Sequence, residues 1–231
     1  MDVFWRLAFG HLLADFTFQT NYIAAWKRRR FWGLFTHVTL HPLFYVILTW
    51  PYLNQTWVNL HWVKLNGWVC IFIAYATHFL EDEWRIWSVN RGAPDNLLFY
   101  TWDQVIHLVI LFALSPMSDG FVANRWPILG CLFVLTTHFS TVTIYYIEKD
   151  IYGVEFPPTE EKYLAMFYRL GATLCFLLPG YWWLVLVALM ISRFSWHIHK
   201  RRFDFSWTSA LLGSIFVIFW GTMARFVLYS F

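Results

Sequence analysis

The chain has 231 residues, of which 59% are hydrophobic and only 13% charged, with a net charge of +3 and a mean hydropathy of +0.47. Soluble domains carry about a quarter charged residues, so this composition excludes an ordinary soluble globular fold. The small positive charge sits in short blocks beside apolar runs, which fits membrane orientation and implies no nucleic-acid partner. The expectation is an all-α chain, a polytopic transmembrane helical bundle of about seven helices, within a range of about six to eight.

A crossing helix needs about 20 predominantly apolar residues, and irregular backbone cannot face lipid. Crossings are therefore predicted near 3–26, 32–50, 66–87, 102–122, 126–147, 164–191 and 205–229. No porin-like alternation of short strands appears. The first segment lacks a basic flank and a small-residue cleavage site, which predicts that it is retained and not removed as a signal peptide. Trp50-Pro51 ends the second segment, Arg91-Gly92-Ala93-Pro94 follows the third, and Ser115-Pro116-Met117-Ser118-Asp119-Gly120 crowds the end of the fourth. That last cluster divides a four-helix region, 1–115, from a second region, 116–231, read as further transmembrane helices with a structural or docking role. Within 148–163 the chain is acidic, and Pro157-Pro158-Thr159-Glu160-Glu161 reads as a helix start capped by Thr159.

The positive-inside rule assigns Lys27-Arg28-Arg29-Arg30 to the cytoplasm. Seven simple crossings then place Lys200-Arg201-Arg202 on the opposite side. A break at Pro179-Gly180, making 164–191 a bent hairpin, is one repair. The 24 Phe, 16 Trp and 12 Tyr include many rings near segment ends, such as Trp50, Tyr52, Trp57, Trp102, Trp126 and Tyr181, where amphipathic aromatics favour the lipid interface. Cys70, Cys131 and Cys175 stand alone in apolar runs, without zinc-ribbon or redox spacing, and read as inert thiols.

Four pairs of metal-type side chains recur at helix spacing in the first half: His11/Asp15, His37/His41, His78/Asp82 and Asp103/His107. Residues i and i+4 share one helix face, so each pair can aim at one point. Ionisable groups inside a bilayer are expensive, which makes each a functional hypothesis by default. Counted from the cytoplasmic face, Asp15 lies about eleven residues deep, His37 and His41 about four and eight, His78 and Asp82 about nine and five, and Asp103 and His107 about one and five. Most of these meet in the inner half of one leaflet. His11, at about fifteen, is the outlier until tilt or a shifted boundary brings it closer.

Other polar residues have plainer readings. A lone membrane histidine such as His138 is more often a hydrogen-bonded packing residue than a ligand. His197 and His199, spaced i and i+2, point to opposite sides of a helix, and His61 falls in an outer loop without a partner at helix spacing. Glu81 and Glu83 flank Asp82 as an acidic rim, with Glu81 also an outer partner for the pairs. Arg85 reads as a local charge partner or snorkelling anchor. Thr136, Thr137, Ser140 and Thr141 suit helix-to-helix or back-bonded hydrogen bonds.

Imidazole and carboxylate without thiolate suit zinc first, with iron or manganese as alternatives. The candidate metal ligands are His11, Asp15, His37, His41, His78, Asp82, Asp103 and His107, enough for two ions unless some orient others. Gln19 and Gln104 are candidates for orienting ligands or positioning water. With an open coordination position, bound water could attack an ester or phosphoester while Asp15, Asp82 or Asp103 accepts its proton.

The run His11-Leu12-Leu13-Ala14-Asp15-Phe16 with Gln19, Ala25, Lys27, Leu34 and His37, then His78-x-x-x-Asp82 and Asp103-Gln104-x-x-His107, resembles a bacterial polytopic membrane-protein family of unknown function. Its signature is HLxADFxxQ, and the resemblance covers about residues 5–112. More loosely, His-x-x-x-Asp is similar to the inner-membrane metal-dependent hydrolases. These resemblances imply a bacterial inner-membrane location, support a site at His11, Asp15, Gln19, His37, His78, Asp82, Asp103 and His107, and say little about substrate.

Three function classes follow. The first is a buried His/carboxylate metal site near the cytoplasmic face, serving a metal-dependent hydrolase of a lipid-linked or phosphorylated substrate. The second is a non-catalytic accessory subunit of a larger membrane complex, its aromatic surface packed on lipids, protein partners or pigment- or haem-bearing subunits. In the third, opposed histidines are axial ligands to haem or chlorophyll, an arrangement that the attached carboxylates argue against.

Overall fold

The computed structural model describes residues 1–116, 124–156, 159–199 and 206–230. Residues 117–120 of the predicted break, Pro157-Pro158 and Lys200-Arg201-Arg202 lie outside the described residues, as do the side chains of Thr159, His197 and His199. The described chain is helical apart from one short hairpin, and it divides into two compact units, Met1–Ile128 and Leu129–Phe231. Among the described residues, three helical stretches are long and apolar enough to cross a membrane: Phe31–Tyr52, Arg125–Tyr152 and Trp207–Tyr229.

In the first unit, α1 (Asp2–Leu12) runs into a π turn, Leu13–Thr17. The predicted 3–26 crossing is interrupted there. Thr20 takes an extended conformation and its hydroxyl accepts from the Ile23 amide at 3.2 Å, starting a separate short helix, α2 (Asn21–Lys27). A capping hydroxyl inside an apolar run thus outweighs hydropathy. Next come α3 (Phe31–Thr49), α4 (Gly67–Asn90) and α5 (Leu97–Ala113). Asn66 and Asn96 cap the last two, accepting from the Val69 and Phe99 amides at 3.1 and 2.9 Å. The fourth predicted crossing, 102–122, therefore begins five residues earlier, at an asparagine cap that a hydropathy window does not register.

Between α3 and α4 the chain forms a two-stranded antiparallel hairpin, β1 (Thr56–Asn59) with β2 (Lys64–Asn66), which the all-α expectation does not contain. Trp57 folds back from it, its indole donating to the Tyr52 carbonyl at 2.9 Å. The ring is buried with Val3, Leu7, Tyr45, Leu53, Cys70, Ile71, Ala74 and Leu111, the apolar core of this unit. His61 is exposed at the hairpin tip.

α1 and α4 both pack on α3, and α1 also meets α5. Two glycines allow close approaches to α3. A Cβ on Gly10 would stand 3.1 Å from the Tyr45 ring, and one on Gly33 would stand 2.5 Å from the Trp26 carbonyl of α2. Phe31, Trp32, Leu43 and Ile47 are exposed on α3. Such an apolar outer surface suits lipid contact.

α6 (Arg125–Val134), a second π turn, Leu135–Phe139, and α7 (Ser140–Tyr152) make one continuous helical rod. α8 (Thr159–Phe176) and α9 (Trp182–His199) replace the single predicted segment 164–191. The break falls at Pro179-Gly180, with Gly180 at φ +68°, a left-handed conformation that glycine adopts without penalty. α10 (Trp207–Tyr229) follows, capped by Ser206, and packs on α8. Ala172, Phe176, Val187 and Val217 form an apolar core in the second unit. The hydroxyls of Thr136, Thr137 and Thr141 bond back to the carbonyls of Leu132, Phe133 and Thr137 at 2.7–2.8 Å, as their spacing predicts. His138 Nδ1 meets the Thr137 hydroxyl at 3.1 Å, a packing contact. Cys70, Cys131 and Cys175 are free thiols, the first two buried.

Candidate functional site

Four helices of the first unit, α1, α3, α4 and α5, bring five histidines together. The His41 and His78 rings lie 3.9 Å apart between centroids, His78 and His107 4.0 Å, and His37 and His41 5.1 Å. His11 lies 5.4 Å from His41 and 5.2 Å from His107. All are buried. His11 joins because α1 ends at the π turn and not at Lys27, so the depth counted from Lys27 overstates its distance from the helix end.

Asp15 sits among these rings. Its Oδ1 lies 3.0 Å from His41 Nε2, 3.2 Å from His37 Nε2 and 3.8 Å from His78 Nε2. Its Oδ2 lies 3.5 Å from His11 Nε2 and accepts from Gln104 Nε2 at 3.0 Å. Gln104 donates also to Asp103 Oδ2, at 3.1 Å. Asp82 Oδ2 stands 3.3 Å from His37 Nε2 and 3.9 Å from His78 Nε2, and receives Lys27 Nζ at 3.2 Å. Glu81 Oε2 lies 3.0 Å from His107 Nε2.

Among the described residues, three groups of side chains could hold a metal ion: Asp15, His37, His41 and His78; His11, His78 and His107; and Glu81, Asp103 and His107. In each group the donor atoms lie within 4.8 Å of one another. Glu81, read from the sequence as an outer partner, thus falls inside a donor group, while Asp82 faces Lys27. Gln19 lies half-buried in the break before α2, its Oε1 buried without a hydrogen-bond partner. It is Gln104 that reaches Asp15.

The contacts have the character of neighbouring ligands. Both ring nitrogens of His11, His37 and His107, and Nε2 of His78, are buried without an aligned hydrogen bond, although carboxylate oxygens stand 3.0–3.5 Å from several of them. Two tetrahedral ligands of one zinc ion, each bound at about 2.0–2.1 Å, stand about 3.3 Å apart. His41 carries the sharpest sign. Pro42 interrupts the hydrogen-bond ladder of α3 because it has no amide hydrogen for the Val38 carbonyl. His41 Nδ1 takes that carbonyl at 3.3 Å, and a carbonyl only accepts, so Nδ1 carries the proton. Nε2 of a neutral His41 then presents a lone pair to Asp15 Oδ1, 3.0 Å away. A cation between them reconciles the two acceptors.

The charge balance agrees. Four carboxylates, Asp15, Glu81, Asp82 and Asp103, meet two cations, Lys27 and Arg85; Arg85 Nη1 donates to Asp103 Oδ2 at 3.0 Å. With neutral imidazoles two negative charges remain, the charge of one divalent ion. The outer pair of Arg28 and Asp95, 3.5 Å apart, leaves this balance unchanged. The buried cluster is therefore capable of metal coordination.

Arg85 bridges Asp95 and, on α5, Asp103. Lys27 is the residue that its sequence context concealed, because it opens a basic block that reads as a topology signal. It does stand in the run that carries the family resemblance, and its approach to Asp82 across 55 residues brings it to the site.

Residues 3–126 match the DUF3307 family, described as a protein of unknown function, and this match contains all the donor residues above. A comparison with curated proteins finds no match. A comparison with solved structures finds none either. By a match that spans more than half of its length, the chain belongs to the DUF3307 family.

Proposed function

We propose that the chain is a polytopic protein of the bacterial inner membrane, with six to eight crossings, whose first unit is a metal centre for hydrolysis of a lipid-linked or phosphorylated substrate. The observation that carries the metal reading is His41, with one nitrogen on the Val38 carbonyl and the other facing Asp15 Oδ1 at 3.0 Å. Zinc suits this donor set best, with iron or manganese as the alternatives.

Asp15, His37, His41 and His78 would hold the ion, with His11, His107, Asp82 and Asp103 around it. When bound, the metal supplies Lewis acidity and a water of lowered pKa. Asp82 and Asp103, each beside a cation, would accept that water's proton. Lys27 and Arg85, already on those carboxylates, supply positive charge for a phosphoryl oxygen. Gln104 holds Asp15 and Asp103 in place.

Metal analysis of the purified full-length protein, beside a His37→Ala/His41→Ala double variant, tests the centre. About one zinc, iron or manganese per chain in the parent and a loss of more than about tenfold in the variant are expected. A parent without metal after reconstitution ends the reading. Hydrolysis is tested by metal-dependent release of phosphate from lipid-linked and soluble phosphoesters.

A second reading, an accessory subunit of a membrane complex, draws on exposed rings of the second unit, where Tyr181 and Trp182 are 84% and 78% exposed. A visible absorption spectrum of the purified protein separates a haem- or pigment-binding role from both.

A further inference from the structure

The two oxygens of Asp15 face different histidines. Oδ1 looks toward His37, His41 and His78, whereas Oδ2 looks toward His11 and takes the Gln104 amide. His11 in turn lies beside His107. The first donor group, which uses Asp15, and the second, His11, His78 and His107, therefore adjoin through His78 and through Asp15, whose second oxygen faces His11. A carboxylate so placed is a bridge, the arrangement by which two ions about 3.5–4 Å apart are held over one substrate.

Charge limits how such a pair can be filled. With every imidazole neutral and all four carboxylates ionised, one divalent ion cancels the two negative charges left over, and a second would leave two positive charges buried inside the first unit. Uncompensated charge in a low-dielectric interior is strongly disfavoured. The second ion therefore needs an anion carrying two negative charges, and the cations already present, Lys27 and Arg85, lie on the carboxylates that metal binding would engage.

We propose that the cluster is a two-ion centre bridged by Asp15, with one ion on Oδ1, His37, His41 and His78 and the other on Oδ2, His11 and His107, and that the second ion binds together with a phosphate-type dianion. This rests on the metal-centre reading above and deepens it. Gln104 is a positioning residue that directs Oδ2 toward the second ion. The coupling makes the centre selective, since an uncharged ester cannot complete it.

The test is a Mn2+ titration of metal-free full-length protein, with and without inorganic phosphate, read by equilibrium dialysis and electron paramagnetic resonance. The expected result is one ion per chain without phosphate, and two with it, the second state showing exchange coupling between the ions. His11→Gln is expected to keep one ion and lose the phosphate-dependent second. Saturation at one ion with phosphate present overturns the two-ion centre while leaving a metal centre intact. Two ions without phosphate, or two in His11→Gln, overturn the coupling and the assignment respectively. Failure of the parent to hold any ion, in either buffer, overturns the metal-centre reading beneath the proposal.

Discussion

Lys27 Nζ lies 3.2 Å from Asp82 Oδ2, the same oxygen that stands 3.3 Å from His37 Nε2. The ammonium and the imidazole compete for one carboxylate, so Lys27 opposes any cation bound beside His37. Lys27→Gln should tighten divalent metal binding by about 1 kcal/mol, roughly fivefold, because the pair is only partly buried. Calorimetric titration with zinc checks the sign; weaker binding would mean that Lys27 acts by holding Asp82 in position.

Gln104 joins Asp15 to Asp103 through one amide nitrogen. Gln104→Leu keeps the bulk and removes the donor, leaving the Asp15 carboxylate free to turn. Partners that orient ligands typically contribute about 10–100-fold in metal affinity, and a loss in that range is expected here. Gln104→Glu, which adds a negative charge in place of the amide donor, should show a different metal preference under competition between zinc and manganese.

At Gly33 the approach of α2 leaves no space for a side chain, since the nearest atoms to an added Cβ are backbone. Gly33→Ala must push α2 away, and overpacking of this kind costs about 1–3 kcal/mol. The displacement carries Lys27 with it. Thermal unfolding in detergent should show the lower stability, and the zinc titration should resemble that of Lys27→Gln.

Asp2 opens α1 ahead of the apolar segment, where its carboxylate accepts from Arg6 Nε at 2.7 Å, the Tyr52 hydroxyl at 2.9 Å and the Asn124 amide at 2.9 Å. Burial raises its pKa, but these three donors outweigh it and hold the group below its ordinary value of 3.8. A lowered folded-state pKa stabilises fully above the unfolded value, and the contribution disappears as pH falls through the folded value. Stability of the parent relative to Asp2→Asn should therefore be constant from about pH 7 to about pH 5 and shrink below about pH 4. An equal difference across the acid range would remove ionisation as the cause.

Arg169 is buried in α8, where Nε donates to the Thr136 carbonyl at 3.1 Å and Nη2 reaches the Thr137 carbonyl and the Thr141 hydroxyl. These carbonyls belong to the second π turn, and that of Thr137 also accepts from the Ser140 amide and the Thr141 hydroxyl. Arg169→Met retains apolar length but takes the donor from the Thr136 carbonyl, at a cost of about 1–3 kcal/mol. Differential scanning calorimetry of the parent and variant measures it, and an unchanged transition would assign the turn to α6 and α7 alone.

The site was readable from the sequence to the extent that helix spacing governs it. His37 and His41, or His78 and Asp82, need only a helix to share a face, and α3 and α4 provide one. Depth was less legible, because it depends on helix ends. Thr20 ends the first segment through a side-chain hydrogen bond, so His11 enters the cluster against the count from Lys27. The partition between Glu81 and Asp82 was not legible either: adjacent residues point about 100° apart on a helix, and which one meets His107 depends on how α4 is rotated against α5. The hairpin at 56–66 escaped because a strand pair of seven residues carries no usable period.

The π turn at Leu13–Thr17 amounts to one extra residue wound into α1. Removing a residue between His11 and Asp15 would return the turn to ordinary winding and shift Asp15 by about 100° relative to His11. Asp15 would leave His37 and His41 although no donor had been lost and hydropathy had barely changed. A one-residue deletion there should abolish what many substitutions only weaken, which makes length, more than composition, the property of this segment on which the centre depends.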